Sequence, residues 1–352
     1  MIDFRYHLVS IVAVFLALAI GIVLGSTELQ GHTLDVLQST SNSLRSQLSA
    51  ASAQRDSYQA QAGAAEQFLQ TAEPTLLGGR LTGQRVVLIT EPGAASGVIA
   101  GVRQATTTAG ATVTGQIALQ PKFNDISGAT QSSLGAINGS IASSDGVTLT
   151  PAADAQTAYQ QQAAQLIATA ILTKTAGTSQ QPSSQQNKGG GLTTARAQTL
   201  LSAYAQAGYL TVTGSPTDNR ATLAVIVAPA SAPPGGQNDP VNQVLIAASQ
   251  EFATASAATV VAGTTAGSQQ RGNSISVLRA SSASARMSTV DDADLTLGQI
   301  SAIEALASQL AGGKPNSYGI SGASAVSPDP LPSPIATASP PPQQGKTGKA
   351  KK

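Results

Sequence analysis

The sequence predicts an α/β protein with a single N-terminal transmembrane helix, a coiled-coil helix, and a mostly parallel sheet with helices on both faces. Three observations lead to this prediction. Residues 8–27 contain no ionisable side chain. Residues 34–69 place apolar side chains at alternating steps of three and four. Between residues 80 and 320, short apolar runs rich in β-branched residues alternate with stretches of helical periodicity, the pattern of a parallel sheet with crossover helices.

The first segment, residues 1–27, is predicted to be a membrane anchor. A helix formed by residues 8–27, at about 1.5 Å per residue, spans roughly 30 Å, the thickness of a bilayer's hydrocarbon core. The alternative is a cleaved signal peptide, because Gly25, Ser26 and Thr27 resemble a cleavage site. A retained anchor is favoured, because the apolar run is longer than a signal-peptide core and Arg5 is balanced by Asp3.

Charges around the apolar run predict its orientation. Arg5 precedes the run, and Glu28 is the first charged residue after it. Because basic residues favour the cytoplasmic side, we expect the N-terminus inside and the bulk of the chain extracytoplasmic, in the cell envelope.

The second segment, residues 28–73, is predicted to be a coiled-coil stalk that ends at Pro74. A heptad register sustained for several repeats is typical of a coiled coil, and a homo-oligomer is therefore expected. The alternative is a single surface helix packed on the body. The residues predicted to carry self-association are Leu34, Leu37, Leu44, Leu48, Tyr58 and Leu69.

The third segment, residues 80–320, is predicted to be one α/β domain. Strands are expected at residues 85–90, 111–119, 222–229, 259–263 and 274–278. Helices are expected at residues 97–109, 152–173, 193–207, 241–255 and 297–310. Residues 177–191 are predicted to form a disordered insertion, and residues 321–352 a disordered, proline-rich basic tail.

Composition excludes several classes of function. The chain has no cysteine, so disulfides, zinc–thiolate sites and thiol nucleophiles are impossible. Its net charge of +1 argues against a nucleic-acid partner, because such domains carry clustered Lys and Arg. The apolar content comes largely from Ala and Val, which predicts a core of small side chains.

No catalytic or cofactor motif is found. The turn after the first predicted strand, EPGAASG at residues 91–97, has neither the glycine spacing of a dinucleotide loop nor the Lys of a Walker loop. The only histidines are His7 and His32, outside the predicted α/β domain, so a Ser-His-Asp triad is excluded there. We expect no enzyme activity and no cofactor, with Ser-Lys chemistry as the open alternative.

Two further groups are candidate metal ligands. Asp291, Asp292 and Asp294 could bind a hard cation, but a turn and helix start is the favoured interpretation. Copper prefers Met, Cys or His. In this chain the Met and His residues are scattered along the sequence: Met1, His7, His32 and Met287.

Two segments resemble the MctB-type family, the mycobacterial copper transport outer-membrane proteins. They are the opening MIDFRYHLVSIVAVFLALAIGIVLGS and a closing stretch with TVDDAD at residues 289–294 and SYG at residues 317–319. The resemblance implies an envelope protein, with an outer-membrane location, that acts in copper transport or homeostasis, and copper ion as a partner. Because some relatives are associated with cell separation, the alternative is a non-catalytic coiled-coil scaffold for an envelope or division partner in wall hydrolysis.

Overall fold

The computed structural model describes residues 4–152, 154–175 and 192–328, with the side chains of residues 26–35 left aside. The chain divides into two compact units, one up to Ala65 and one from Glu66 onward. The predicted insertion at residues 177–191 and the part of the predicted tail after residue 328 lie outside the described residues.

The first element is one long helix, α1 (Phe4–Leu77). Its residues Phe4–Gly25 form a stretch of 22 residues that is long and apolar enough to cross a membrane. The prediction that the helix stops at Pro74 is wrong, because Pro74 lies inside its last turn and the helix continues to Leu77. A proline removes one backbone hydrogen bond, and the complete burial of Leu77 offsets that loss by about 2 kcal/mol.

The remaining elements alternate between strands and helices. The strands are β1 (Arg85–Thr90), β2 (Thr112–Leu119), β3 (Leu210–Gly214), β4 (Leu223–Val227), β5 (Ala258–Ala262), β6 (Ser288–Val290) and β7 (Ser317–Tyr318). The helices are α2 (Ser96–Thr108), α3 (Gly128–Asp145), α4 (Ala158–Ile171), α5 (Thr194–Gln206), α6 (Pro240–Ala255), α7 (Thr265–Ser268), α8 (Ser274–Ala280) and α9 (Thr296–Leu310).

The strands of the described residues form one sheet in the order β3-β2-β1-β4-β5-β6-β7. Every neighbouring pair is parallel except β2 and β3, which are antiparallel. The mostly parallel sheet is therefore confirmed. The strand order reverses between β1 and β4, since β2 lies on one side of β1 and β4 on the other.

The central strands β1, β4 and β5 are buried on both faces of the sheet. On one face, Val87 and Ile89 pack with side chains of α3, α4, α5, α6 and α8. On the other face, Val86 and Leu88 pack with Leu77 and with side chains of α2 and α9. Alternate residues of a strand point to opposite faces, so a strand covered by helices on both sides must be apolar throughout. The predicted helices on both faces are confirmed.

The predicted strand at residues 274–278 is wrong, because this segment begins helix α8. The alternation Ser-Ile-Ser-Val resembles a strand, but Ile275 and Leu278 also lie three residues apart, as on one helix face. The side chain of Asn273 accepts a hydrogen bond from the Ser276 N–H and caps the helix, and such caps favour helix initiation. Five of the named elements were not predicted: α3, β3, α7, β6 and β7.

The guanidinium of Arg279, at the end of α8, joins the last part of the sheet. Its Nη1 lies 2.7 Å from Oδ2 of Asp291 and also donates to the Ser321 carbonyl. Its Nη2 donates to the Tyr318 carbonyl, and its Nε to the Thr289 hydroxyl. Asp291 is fully buried, so its charge depends on this partner.

The segment after β7 closes over Asp291. The Ile320 and Ser321 N–H groups donate to the Asp291 carboxylate. Gly319 has a φ of 121°, and a Cβ at that position would collide with Asp291, so only glycine fits there. Residues 321–328 begin the predicted tail, and within them Ala325 pairs with Tyr318.

Replacing Arg279 with Met should destabilise the fold by about 3–5 kcal/mol, because it leaves the buried Asp291 without its cation. The matched control is Arg286→Met, which removes an exposed guanidinium that donates to the Thr254 hydroxyl. Urea unfolding of the full chain in detergent, followed by near-ultraviolet circular dichroism of the tyrosines, measures both. Equal midpoints for the two variants would contradict the role of Arg279.

Candidate functional site: a pocket at the carboxyl ends of the central strands

The carboxyl ends of β1, β2 and β4 surround a pocket of about 340 Å³, which we call the switch-point pocket. In open α/β sheets, ligands bind where the strand order reverses, just beyond the carboxyl ends of the strands. This pocket occupies that place between β1 and β4. Its lining residues are Pro92, Gly93, Pro121, Asn124, Pro229, Ser231, Ala232, Pro233, Pro234 and Val241.

Prolines form much of the wall, and local backbone contacts fix their positions. Gly93 adopts a φ of 81°, which glycine allows without strain, and this turn follows Pro92. The Ala230 N–H donates to the Gly93 carbonyl, and Ala94 pairs with Pro229. Proline has a fixed φ and no N–H. The wall is therefore rigid, and its prolines offer no backbone donors.

The polar lining side chain with a free acceptor is Asn124. It follows β2 in a short 3-10 helix, Pro121–Asn124, and is 9% exposed. Its Nδ2 donates to Oε2 of Glu91 at 3.4 Å. Its Oδ1 accepts no hydrogen bond from a described residue, and neither does Oε1 of Glu91. A buried polar atom without a partner is unusual in folded proteins, so these two oxygens are candidates for contact with a ligand.

Glu91 itself is buried at the end of β1, with 3% of its surface exposed. Burial raises the pKa of its carboxyl to about 7, and the hydrogen bond from Asn124 opposes part of that rise. A carboxyl with a pKa near neutrality exchanges its proton under physiological conditions, a property concentrated at functional sites.

Two charged side chains lie next to the pocket, the negative Asp239 and the positive Lys122, and the cation is engaged by groups outside the pocket. The Asp239 carboxylate accepts hydrogen bonds from the Val241 N–H and from the Gly235 N–H. Asp239 thereby caps α6 beside the pocket. Lys122, next to Pro121, donates to the Ala207 carbonyl and lies over the Tyr209 ring. Within the described part of the chain, none of the residues that line the pocket is charged.

The sequence predicted an ordinary strand-to-helix turn at residues 91–97 but did not predict the pocket. Asn124 falls in a stretch without strong periodicity, and residues 229–234 have the composition of a loop. The detectable signals were the proline density at residues 229–234 and the acidic residue directly after a buried strand.

The acidic cluster has separate structural roles in the described residues. Asp294 accepts hydrogen bonds from the Thr265 N–H and hydroxyl at the start of α7, and Asp291 pairs with Arg279. Burial, together with the charge of Asp291, raises the pKa of Asp292 to about 6. No group of three or more His, Cys, Asp or Glu residues is placed to hold a metal within the described part of the chain.

The predicted self-association residues lie on α1. Leu37, Leu44 and Leu48 are 60–69% exposed and line one shallow groove with Thr40, Ser41 and Arg45. Tyr58 is also exposed. The side chain of Leu34 is outside the described set. Leu69 differs from the others, because it is partly buried and packs against the body.

Glu66 makes a contact that the sequence did not reveal. Its carboxylate accepts hydrogen bonds from the Thr296 N–H at 3.0 Å and from the Thr296 hydroxyl at 2.6 Å. The N-terminus of a helix carries a partial positive charge, so Glu66 stabilises the start of α9. Residues 230 positions apart leave no local sequence signal for such a pair.

Replacing Glu91 with Gln should reduce the pH dependence of stability. The folded chain holds the carboxyl proton more tightly than the unfolded chain, so the free energy of unfolding falls as pH rises from about 4.5 to about 7. Glu91→Gln removes about 2 kcal/mol of the difference between pH 5 and pH 8. Urea unfolding of the full chain in detergent at both pH values measures this.

The control for this prediction is Asp218→Asn, which neutralises an exposed carboxylate. That variant should keep the pH dependence of the parent chain. The stabilising role of a neutral Glu91 is contradicted if Glu91→Gln also keeps it.

Comparison with known proteins gives the family. The family described as "Copper transport outer membrane protein, MctB" matches residues 1–328. "Copper transporter MctB" of Mycobacterium tuberculosis (strain ATCC 25618 / H37Rv) is 30% identical over 320 residues, 91% of this chain and 96% of that protein. The protein of the same name from Mycobacterium bovis (strain ATCC BAA-935 / AF2122/97) has the same identity and coverage.

The protein of the same name from Mycobacterium leprae (strain TN) is 29% identical over 327 residues, 91% of this chain and 96% of that protein. The matched region contains the apolar segment, the long helix and the whole described sheet. The resemblance seen in the opening and closing segments is therefore confirmed, and the chain belongs to the MctB family of copper transport outer membrane proteins.

Proposed function

We propose that this protein acts in copper transport or copper homeostasis at the cell envelope, as a membrane-anchored protein. The observation that carries the proposal is the family match over residues 1–328. It includes the apolar helix as well as the α/β body, so both parts belong to what the family shares. The relatives named "Copper transporter MctB" align with this chain over 96% of their own length.

The proposed anchor is the segment Phe4–Gly25. Its side chains are exposed in the structure, which suits contact with lipid, and its length matches a bilayer. Arg5 lies at the N-terminal end of this segment, ahead of the uncharged run that begins at Leu8, and the positive-inside tendency supports a cytoplasmic N-terminus. We accordingly propose an extracytoplasmic body.

We propose that copper is cargo rather than a resident metal. Met287 is buried beside the core of the body, and within the described residues no metal-binding group of His, Cys, Asp or Glu is assembled. Copper in its common protein sites uses His, Cys or Met ligands. The proposed role is non-catalytic, in keeping with the family description of transport.

We also propose that α1 mediates self-association. The exposed leucines Leu37, Leu44 and Leu48 are seven and four residues apart, as on a coiled-coil seam, and all three line one groove. In this proposal residues 28–73 form the stalk, and Leu69 near its end packs against the α/β body. The alternative function, a scaffold in wall hydrolysis, would use the same leucine groove.

A deletion strain should accumulate copper, because loss of a copper transport protein removes a route of efflux or control. Cell copper is measured by mass spectrometry after growth in added copper. Restoring the full chain should return copper to the parental level, whereas a variant lacking residues 4–25 should not. Unchanged copper in the deletion strain would remove the copper function and leave the scaffold.

Replacing Leu37, Leu44 and Leu48 with Asp should abolish self-association, because the interface would then have to bury three unpaired carboxylates, which is energetically costly. The control variant adds three charges on the opposite side of the helix, with Ser39→Asp, Ser46→Asp and Ala53→Asp. Amine-reactive crosslinking in native membranes measures the oligomer. If both variants crosslink like the parent chain, the leucines do not form the interface.

A further inference from the structure

We propose that the switch-point pocket binds a small organic cation, a primary ammonium attached to an apolar body. The ammonium would donate to Asn124 beside the carboxylate of Glu91, and the apolar body would lie against the proline walls. This inference is independent of the copper role, because it depends on the residues that line the pocket and on the unpaired oxygens of Asn124 and of Glu91 behind it.

The first support is a pair of acceptor oxygens without donors, one on the lining residue Asn124 and one on its partner Glu91. Oδ1 of Asn124 and Oε1 of Glu91 have no donor among the described residues. Since the Asn124 Nδ2 is engaged with Oε2 of Glu91, the free atom of the amide is its acceptor. A free acceptor requires a ligand with N–H or O–H donors, and a primary ammonium supplies three N–H donors.

The second support is charge. Glu91 places a carboxyl behind Asn124, and the Asp239 carboxylate offsets the positive end of α6 at the rim. The nearby cation, Lys122, is held by the Ala207 carbonyl and the Tyr209 ring. These charges attract a cation and repel phosphate or carboxylate groups. An ion pair with a buried carboxylate also restores the charged form that burial disfavours.

The third support is the shape and polarity of the walls. Five prolines line the pocket: Pro92, Pro121, Pro229, Pro233 and Pro234. Ligand pockets occupy roughly 300–1,000 Å³ and are largely apolar with a few fixed polar groups. At about 340 Å³ this pocket is at the small end of that range. It therefore suits a compact amine rather than a nucleotide or a large cofactor.

The same chemistry has two sources: a free amine, or an amino group carried by a peptide. The experiment separates them by using cyclohexylmethylamine as the free amine and a blocked tripeptide with a central lysine as the peptide. Cyclohexylmethanol and cyclohexanecarboxylate are the neutral and anionic analogues. Binding is measured by saturation-transfer NMR and calorimetry on the full chain in lipid nanodiscs, with empty nanodiscs as the reference.

The expected result is that the free amine binds and that both analogues bind at least about tenfold more weakly. Glu91→Gln and Asn124→Leu should each lower amine affinity about tenfold or more. Ala232→Phe should block the pocket without removing either polar group. Ser202→Ala is the control, because Ser202 lines a different groove beside α5 and β3 and its loss should leave binding unchanged.

Near-ultraviolet circular dichroism verifies the fold of each variant, and Ala232→Phe decides the test if a polar variant fails to fold. Preference for the peptide over the free amine supports the ammonium site and assigns its source to a protein. The proposal is overturned if the parent chain binds neither amine, if the alcohol or the carboxylate binds as well as the amine, or if folded pocket variants retain full affinity.

Discussion

The ion pair between Arg279 and Asp291 is the interaction on which the last part of the sheet, β6 and β7, depends. The two residues come from different elements, α8 and the end of β6, and the guanidinium also binds backbone carbonyls after β7. Strands as short as β6 and β7 have few ladder hydrogen bonds of their own. A fully buried carboxylate must keep its partner, so the Arg279–Asp291 pair adds to the backbone pairing that holds these short strands together.

The order of the strands determines where chemistry can occur. Because β2 and β4 lie on opposite sides of β1, the segments after them diverge and leave a space beyond the sheet. The proline-rich segment after β4 and the short 3-10 helix after β2 close that space from two sides. Glu91 and Asn124 meet there although they follow different strands. The pocket is thus a consequence of topology, and its lining residues give it a chemical preference.

Much of the fold could be predicted because its central strands are apolar on both faces. β1 and β4 were located from runs such as RVVLIT, since a doubly covered strand has no polar side. The failures occurred where local and tertiary effects compete. Residues 274–278 alternate like a strand, but the Asn273 cap and the Arg279 network select a helix. The three residues of β6 are too few to show a period.

The candidate site was harder to predict than the fold. The contact between Asn124 and Glu91 joins residues 33 positions apart, and nothing near either residue signals the other. The contact between Glu66 and Thr296 was equally unpredictable, because a helix cap supplied by a distant segment leaves no local sequence pattern. Composition alone could identify neither pair, whereas the apolar anchor segment was evident from its length and lack of charge.

The burial of Glu91 makes binding of an ammonium ion at the switch-point pocket compete with binding of a proton to the Glu91 carboxyl. With a pKa of about 7, the carboxyl holds a proton when the pocket is empty in mildly acidic surroundings. Its side-chain partner is the neutral Asn124, while Asp239 caps α6 and Lys122 donates to the Ala207 carbonyl. An incoming ammonium therefore replaces that proton. Occupancy would then be set by the ratio of amine to acid around the protein, so that acidification empties the site and neutral conditions fill it.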